Sequence, residues 1–76
     1  MPDRFSYTVV LEPQPDGGFT VSVPALPEVV TEGDTEAEAL AMGEEAIRVI
    51  LDYRRDHGIA IPADTWPTVR TVTVAV

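Results

Sequence analysis

The sequence predicts a two-layer α+β domain with the element order β-β-β-α-β, in which one long helix packs on one face of a three- to four-stranded, mainly antiparallel sheet. Two patterns carry this prediction. Apolar and polar residues alternate in segments near both ends of the chain, which is typical of strands, and apolar residues between them recur at spacings of three and four, which is typical of a helix. A chain of 76 residues has room for one domain, so we expect residues 1–76 to fold as a single unit.

Three strands are predicted before the helix. Alternation over residues 4–12 and again over residues 19–23 predicts two strands, and Asp16-Gly17 between them supplies the positive φ angle that a hairpin turn needs. These two strands should therefore be antiparallel. Pro24 ends the second strand, and Val29-Val30-Thr31 is long enough to form a short third one.

The helix has a start signal and a stop signal. Thr35 followed by Glu38 is a capping box, in which the hydroxyl accepts from a backbone N–H one turn on and the carboxylate reaches back; Asp34 is the alternative cap. At the other end, Arg54 suits the negative pole of the helix dipole, and Gly58 is a natural residue to follow the last turn. We therefore expect the helix to run between these signals.

The helix carries two adjoining apolar stripes, which together are wider than one small sheet needs. The surplus has two explanations that the sequence leaves open: a contact with another subunit or partner, or a helix tilted deep into its own core. The first stripe consists of Leu40, Gly43, Ile47, Ile50, Leu51 and Arg54, and the second of Ala39, Met42, Ala46, Val49 and Tyr53.

The chain after the helix predicts one more strand. An irregular link bracketed by Pro62 and Pro67 leads into residues 68–76, which are rich in valine and threonine and alternate again. Arg70 is the only charged residue of this segment, and an exposed edge of that kind invites pairing with another strand. The segment is therefore expected either in the centre of the sheet or at an oligomer interface.

The composition limits the partners of the chain. Its net charge of −8, from 13 acidic and 5 basic residues, would be repelled by a phosphate backbone, so we expect no direct binding of nucleic acid. A basic partner is favoured instead, although negative charge also serves solubility alone. A chain this small buries only about 60% of its unfolded surface, and without cysteine no disulfide can reinforce it. We therefore expect a homo-oligomer, either a dimer or a tetramer.

The sequence contains no targeting or membrane signal. No apolar run approaches the ~20 residues that cross a bilayer, and the N-terminus lacks the basic-then-apolar order of a signal peptide. We expect a cytoplasmic protein with no membrane partner.

No residue pattern predicts a catalytic, cofactor or metal site. His57 is the only histidine, and its place at a helix end is explained by the dipole. Ser6 and Ser22 alternate outward on strands without the signature of a nucleophile. The acids around Asp34 crowd a helix start, where capping already accounts for them. We therefore expect no enzyme; a residual metal-dependent nuclease that uses Asp34 is the least favoured alternative.

The acidic residues of the middle of the chain are the candidate partner site. From Glu28 to Glu45 no basic residue intervenes, and a negative patch around a helix start would steer a basic partner. A solvated helix face explains Glu44 and Glu45 but explains Glu28 and Glu32 less well. Trp66 is interpreted as a lid over the core edge, with a partner anchor as the alternative. The predicted partner-facing residues are Glu32, Asp34, Glu36 and Glu38, with Trp66 as an anchor.

Residues 5–62 resemble the HicB-like antitoxin family, and the most specific part of the resemblance is Gly33-Asp34-Thr35 followed by Glu38-Ala39-Leu40. Two departures stand out. Glu28 occupies a position after the Leu-Pro pair where glycine is common, and the sequence up to Val76 contains no C-terminal DNA-binding domain, which full-length members often carry. The other matching segments, in order, are Tyr7-Thr8-Val9-Val10-Leu11-Glu12, Gly17-Gly18-Phe19-Thr20-Val21-Ser22-Val23-Pro24, Leu26-Pro27, Thr31-Glu32, Glu45-Ala46-Ile47 and Ile61-Pro62.

The resemblance implies a degenerate RNase H-like half-fold that lacks nuclease residues. It also implies a function, the neutralisation of HicA-type toxins, which are small basic mRNA interferases with a catalytic histidine, by covering their active surface. Because the DNA-binding domain of full-length members is not matched, the resemblance does not extend to operator binding or autoregulation. The alternative is a stand-alone oligomer that acts as a regulatory or scaffolding module without a toxin.

Overall fold

The computed structural model describes residues 4–76 and contains one sheet and one long helix. The sheet has three antiparallel strands in the order β1-β2-β3, namely β1 (Val10–Pro13), β2 (Phe19–Ser22) and β3 (Val30–Gly33). The helix α1 spans Glu36–Asp56. The predicted α+β fold, with a three-stranded antiparallel sheet followed by a long helix, is therefore confirmed.

The β1–β2 connection is the hairpin that the sequence predicts. Gly17 and Gly18 take φ angles of 101° and 82°, which glycine adopts readily, and the backbone N–H of Gln14 donates to the Gly18 carbonyl at 3.0 Å. The same register continues through the sheet, where β2 also pairs antiparallel with β3. The hairpin and β3 thus meet at one end of the sheet.

The first strand is shorter than predicted. Alternation predicted a strand over residues 4–12, but only Val10–Pro13 pairs with β2, because β2 ends at Ser22 just before Pro24 turns the chain away. Residues 4–9 therefore run into β1 without a ladder partner in the described part of the chain. The third strand starts one residue later than expected, because the Val29 N–H donates to the Leu26 carbonyl in a turn.

The chain between β2 and β3 supplies part of the core. The Leu26 N–H donates to the Val23 carbonyl and the Val29 N–H to the Leu26 carbonyl, each at 2.9 Å, so two successive turns point both side chains inward. Val23, Leu26 and Val29 are almost completely buried and pack with Leu51 of the helix. The Leu-Pro excursion of the sequence is therefore a core-filling loop.

The start of the helix confirms the predicted cap. Thr35 is the N-cap, with φ −124° and ψ 165°, and its hydroxyl accepts from the Glu38 N–H at 3.1 Å. The Glu38 carboxylate accepts from the Asp34 N–H at 3.3 Å, one residue before the cap. At the other end His57 is the C-cap, and Gly58 follows with φ 65°. Of the two candidate caps, Thr35 therefore takes the role.

Neither apolar stripe of the helix is buried as a whole, since Leu40 of the first stripe is 45% exposed and Ala39 of the second is fully buried. Ala39, Gly43 and Leu51 are buried against the sheet and the loop. Val49 and Tyr53 of the second stripe remain 60% and 54% exposed, because three short strands cover only one side of the helix. Deep insertion of the whole helix into its own core is therefore wrong, and an apolar strip remains uncovered in the single chain.

The predicted last strand is not formed. Residues 59–76 contain no strand in the structure, and no segment among the described residues pairs with residues 68–76. A β-strand requires a hydrogen-bonding neighbour, and this segment lies exposed along its whole length. The prediction that residues 68–76 lie in the centre of the sheet of their own chain is thus wrong.

Candidate partner-binding surface

An open acidic groove of about 990 Å³ lies where the β1–β2 hairpin, the end of β3 and the start of α1 come together. Four of the residues that line it carry carboxylates, and none of the described lining residues is basic. The acidic groove is lined by Gln14, Asp16, Gly17, Gly18, Phe19, Thr20, Thr31, Glu32, Gly33, Asp34, Glu38 and Met42.

The structure brings together three of the predicted partner-facing acids. Glu32 stands exposed on β3, and Asp34 and Glu38 follow at the helix start, all three lining the acidic groove. Glu36 is exposed on the first helical turn but does not line the groove. Asp16 of the hairpin completes the set; no local sequence pattern marks it as a site residue, because its proximity depends on the strand pairing.

Gly33 explains why the end of β3 and the start of the helix can come so close. A Cβ atom at this position would lie 2.4 Å from the backbone nitrogen of Ala39. Contacts that short do not occur between real atoms, so any side chain would push the helix off the sheet. The glycine thus brings Glu32 and Glu38 to the same groove.

The carboxylates of the acidic groove are exposed and carry charge of one sign. Nowhere in residues 4–76 do three or more His, Cys, Asp or Glu side chains gather closely enough to hold a metal. The groove is wide and open, and its carboxylates are exposed to solvent. Exposed charges of one sign act at a distance by attracting and orienting a partner of the opposite sign.

Glu28 has a structural role that the sequence analysis missed. Its Oε2 accepts from Nη2 of Arg54 at 2.8 Å, and Nη1 of Arg54 donates to the Ala60 carbonyl at 2.9 Å. A hydrogen bond from its own backbone N–H and the bonds from Arg54 lower the pKa of the Glu28 carboxyl. Glu28 therefore ties the core-filling loop to the end of the helix, and its charge is already paired.

A second set of contacts, also unforeseen, fixes the chain after the helix. The Asp64 carboxylate accepts from the backbone N–H and from the hydroxyl of Thr8, each at 2.8 Å. These bonds, the one from the Thr8 N–H foremost, lower the pKa of Asp64. The Tyr7 hydroxyl donates to the Pro62 carbonyl at 2.6 Å, and burial is the main cause of its raised pKa. Partners more than fifty positions apart leave no local sequence signal.

Trp66 does not act as a lid. Its side chain is 77% exposed and lies outside the acidic groove, in the segment that follows Asp64. The lid interpretation was wrong because Pro67 and the residues after it leave the domain instead of folding over it. A role for Trp66 as an anchor stays a prediction.

His57 packs on its own helix. Its ring stacks on Tyr53 with centroids 4.1 Å apart, and its Nδ1 lies 2.8 Å from the Tyr53 carbonyl oxygen. These contacts and the C-cap position account for the residue without a catalytic role.

A second groove, of about 800 Å³, separates the N-terminal segment from the helix. Phe5, Ile47 and Leu51 give it an apolar floor, and arginines stand at its rim together with two acids. This arginine-rimmed groove differs from the acidic groove in charge and in apolar content. It is lined by Arg4, Phe5, Ser6, Glu44, Ile47, Arg48, Leu51, Asp52 and Arg55.

The fold and its grooves define a small acidic α+β domain. In agreement, the family model described as HicB_like antitoxin of bacterial toxin-antitoxin system matches residues 7–71. The chain belongs to the HicB-like antitoxin family, as the resemblance of its motifs predicted. Family membership supports an antitoxin role in a toxin–antitoxin system and suggests a role without catalysis.

Individual relatives agree with the family. The chain is 43% identical over 58 residues to the UPF0150 protein Ta0767 of Thermoplasma acidophilum, a match that covers 76% of this chain and 84% of that protein. It is 41% identical over 56 residues to Antitoxin HicB 1 of Photorhabdus laumondii subsp. laumondii and 38% identical over 56 residues to Antitoxin HicB of Escherichia coli K12. Both matches cover 74% of this chain, but only 36% and 41% of the two antitoxins.

The structure also bears on membrane association. Within the described residues, no helix has both the length and the apolar character needed to cross a membrane.

Proposed function

We propose that this protein neutralises a HicA-type toxin, a small basic mRNA interferase, by binding it and covering its active surface. The observation that carries the proposal is the family match over residues 7–71. The net charge of −8 supports it, because a toxin that holds RNA must itself be basic.

The acidic groove is the proposed docking surface. Glu32, Asp34 and Glu38 line it, with Glu36 beside it on the first turn of the helix. These carboxylates attract basic side chains of the toxin and set its orientation as the two proteins approach. Trp66, exposed elsewhere on the chain, is a proposed apolar anchor for a partner.

Reversal of charge in the acidic groove tests this docking surface. The double change Glu32→Lys with Asp34→Lys leaves the Thr35–Glu38 cap intact and should weaken toxin binding at low salt by on the order of tenfold or more, chiefly through slower association. Surface plasmon resonance with the toxin from the neighbouring reading frame measures both rate constants. In cells, the same change should reduce the relief of growth arrest.

A matched control separates the groove from net charge. Glu12→Lys with Glu45→Lys changes the total charge by the same amount at exposed positions outside the acidic groove. If this control weakens binding as much, the groove is not the docking surface. If the unaltered protein forms no complex with the toxin and gives no relief, the antitoxin proposal itself fails.

The alternative function is a stand-alone oligomer, a dimer or tetramer, that acts as a regulatory or scaffolding module without a toxin. It is favoured by two uncovered apolar features, the helix strip at Val49 and Tyr53 and the exposed residues 68–76. Whichever function holds, we propose that the chain self-associates. A monomer by light scattering at micromolar concentration would contradict this.

We propose further that residues 1–76 act as one cytoplasmic domain, a degenerate RNase H-like half-fold without catalysis and without direct contact to nucleic acid. Incubation with an RNA–DNA hybrid and Mg²⁺ or Mn²⁺ should give no cleavage. Robust cleavage that is lost in Asp34→Ala would instead favour the residual nuclease.

A further inference from the structure

The last segment of the chain is an exposed apolar extension. We call residues 66–76 the C-terminal arm. Trp66 is 77% exposed, Val69 and Val72 are each 81% exposed, and Val74 is 72% exposed. Both faces of the arm are therefore in water, although its alternating valines and threonines are typical of a half-buried strand.

The dimensions of the molecule show how far the arm departs from the domain. A folded chain of 76 residues should have a radius of gyration of about 11 Å. The observed radius is 14.8 Å, and the longest dimension is 53 Å. The arm thus projects away from the sheet and the helix.

The solvent-exposed area of the chain is also larger than expected for a folded domain, and this area can be compared with the area of a protein–protein interface. A monomer of 8.2 kDa should expose about 4,500 Å², whereas this chain exposes 6014 Å². The excess of about 1,500 Å² exceeds the roughly 800 Å² that each partner contributes to a stable protein–protein interface. An excess of this size is large enough for burial of exposed segments, the arm among them, to supply a full interface.

The exit of the arm is fixed by the chain before it. The bonds from Thr8 to Asp64 and from Tyr7 to Pro62 hold the preceding residues against the domain. Pro67 then disfavours a helical conformation at Trp66 and keeps the chain extended. Exchange of an identical element between copies is a low-cost route to a dimer, and an arm that is held outward is available for it.

The arginine-rimmed groove offers the matching surface. Its floor contains Phe5, which is 43% exposed, together with Ile47 and Leu51. One wall is the N-terminal segment that runs into β1 without a ladder partner among the described residues. An added strand beside residues 4–6 would cover these apolar side chains, whereas farther along the segment the Thr8 N–H is already bonded to Asp64.

The charge distribution points to a second copy as the occupant. Two copies with a net charge of −8 repel each other over most of their surfaces. The arm, however, carries only Arg70, and the groove holds three of the five basic residues against two acids, Glu44 and Asp52, of which Glu44 is paired with Arg48 at 3.0 Å. The arm and this groove are therefore the surfaces on which two acidic copies repel each other least.

We propose that the C-terminal arm of one copy docks as an added β-strand in the arginine-rimmed groove of a second copy, and that the second arm returns the contact. The two equivalent contacts form a dimer with twofold symmetry, and Trp66 becomes buried at the base of each arm. This inference rests on the proposed self-association and specifies its surface; it does not depend on toxin binding.

Proline substitutions test whether the arm pairs as a strand. Alternate residues of a paired edge strand direct their N–H groups to the neighbour, and proline removes that donor. We compare Val72→Pro and Val74→Pro with Thr71→Pro and Thr73→Pro by sedimentation equilibrium. In at least one of these two sets, the dissociation constant of the dimer should rise on the order of tenfold. Circular dichroism checks that each variant keeps its fold. We expect it to do so, because the exposed arm packs on no described part of the domain.

The fluorescence of Trp66, the only tryptophan, reports the same event. Its emission should shift to shorter wavelength as concentration drives dimer formation, and the shift should be lost in the sensitive proline variants.

Cysteine pairs test the location, because the natural chain contains no cysteine. A Ser6→Cys chain is mixed with a tagged Val74→Cys chain under mild oxidation. A disulfide that joins the two different chains places the arm of one in the groove of the other. The control pair, Val49→Cys with Val74→Cys, places a thiol on the exposed helix strip instead.

The outcomes separate the inference from the proposals it rests on. A monomeric unaltered protein would overturn both self-association and arm exchange. A dimer that persists in both proline sets would overturn the exchange of arms but not the self-association. Preferential cross-linking of Val74→Cys to Val49→Cys would do the same. A monomer whose arm variants lose toxin binding would assign the arm to the toxin and overturn the exchange.

Discussion

At the scale of single residues, the Gly33-Asp34-Thr35 motif shows how one short sequence serves several needs. Gly33 allows the backbone approach to Ala39, Thr35 caps the helix, and Asp34 donates its N–H to Glu38. Only the carboxylate of Asp34 is left for a partner. The motif therefore identifies the fold more directly than it identifies the binding site.

Gly33→Ala should be among the most destabilising small substitutions in the chain. The added Cβ would meet the backbone of Ala39 at 2.4 Å, and a backbone atom cannot rotate away as a side chain can. Overpacking of this type costs about 1–3 kcal/mol, and we expect the upper part of that range. Urea denaturation measures the loss. An unchanged midpoint would mean that the helix start can move away from β3 freely.

Thr35→Ala should cost about 1 kcal/mol, because the N–H of Glu38 loses the hydroxyl that accepts from it. Thr35→Ser is the matched control, since it retains the hydroxyl and should keep most of the stability. Thermal unfolding of both variants checks the prediction, and equal losses in the two would argue against the cap.

At the scale of elements, the sequence predicts what local patterns encode and misses what distant contacts decide. The strands, the hairpin and the helix cap all follow from alternation, Asp-Gly and the capping box. Glu28 pairs with Arg54, and Asp64 with Thr8. Each contact joins residues far apart in the chain, so no local periodicity predicts it. The fourth strand was predicted from a clear alternation, but no segment among the described residues pairs with it.

These two ties predict how acid affects the links between elements. The folded-state pKa values of Glu28 and Asp64 lie below the usual values of 4.5 and 3.8. Each carboxylate therefore stabilises the fold fully above its usual pKa, and the contribution is lost as the pH falls through the lowered folded-state value. Stability should decline below about pH 4.5.

Neutral variants check the source of that decline. Glu28→Gln and Asp64→Asn should each lower the free energy of unfolding at about pH 7. Each should also reduce its further loss on acidification, because one carboxylate no longer titrates. Glu45→Gln, at an exposed position, is the control and should leave the pH profile unchanged. If the two variants keep the steep profile of the natural protein, other carboxylates govern its acid sensitivity.

At the scale of the whole molecule, toxin binding and self-association should respond to salt in opposite directions, because the first depends on charge attraction and the second on apolar contact against charge repulsion. Toxin binding brings the acidic groove to a basic surface, so it should weaken as ions screen the attraction. Self-association brings together two copies of charge −8 through apolar arms, so it should strengthen as their repulsion is screened. The screening length falls from about 10 Å at 0.1 M to about 3 Å at 1 M salt, which spans the useful range. Sedimentation equilibrium for the dimer and fluorescence titration for the toxin complex give the two dissociation constants, which should move in opposite directions. A dimer that dissociates at high salt would mean that ion pairs at the groove rim, rather than the valines of the arm, hold the two copies together.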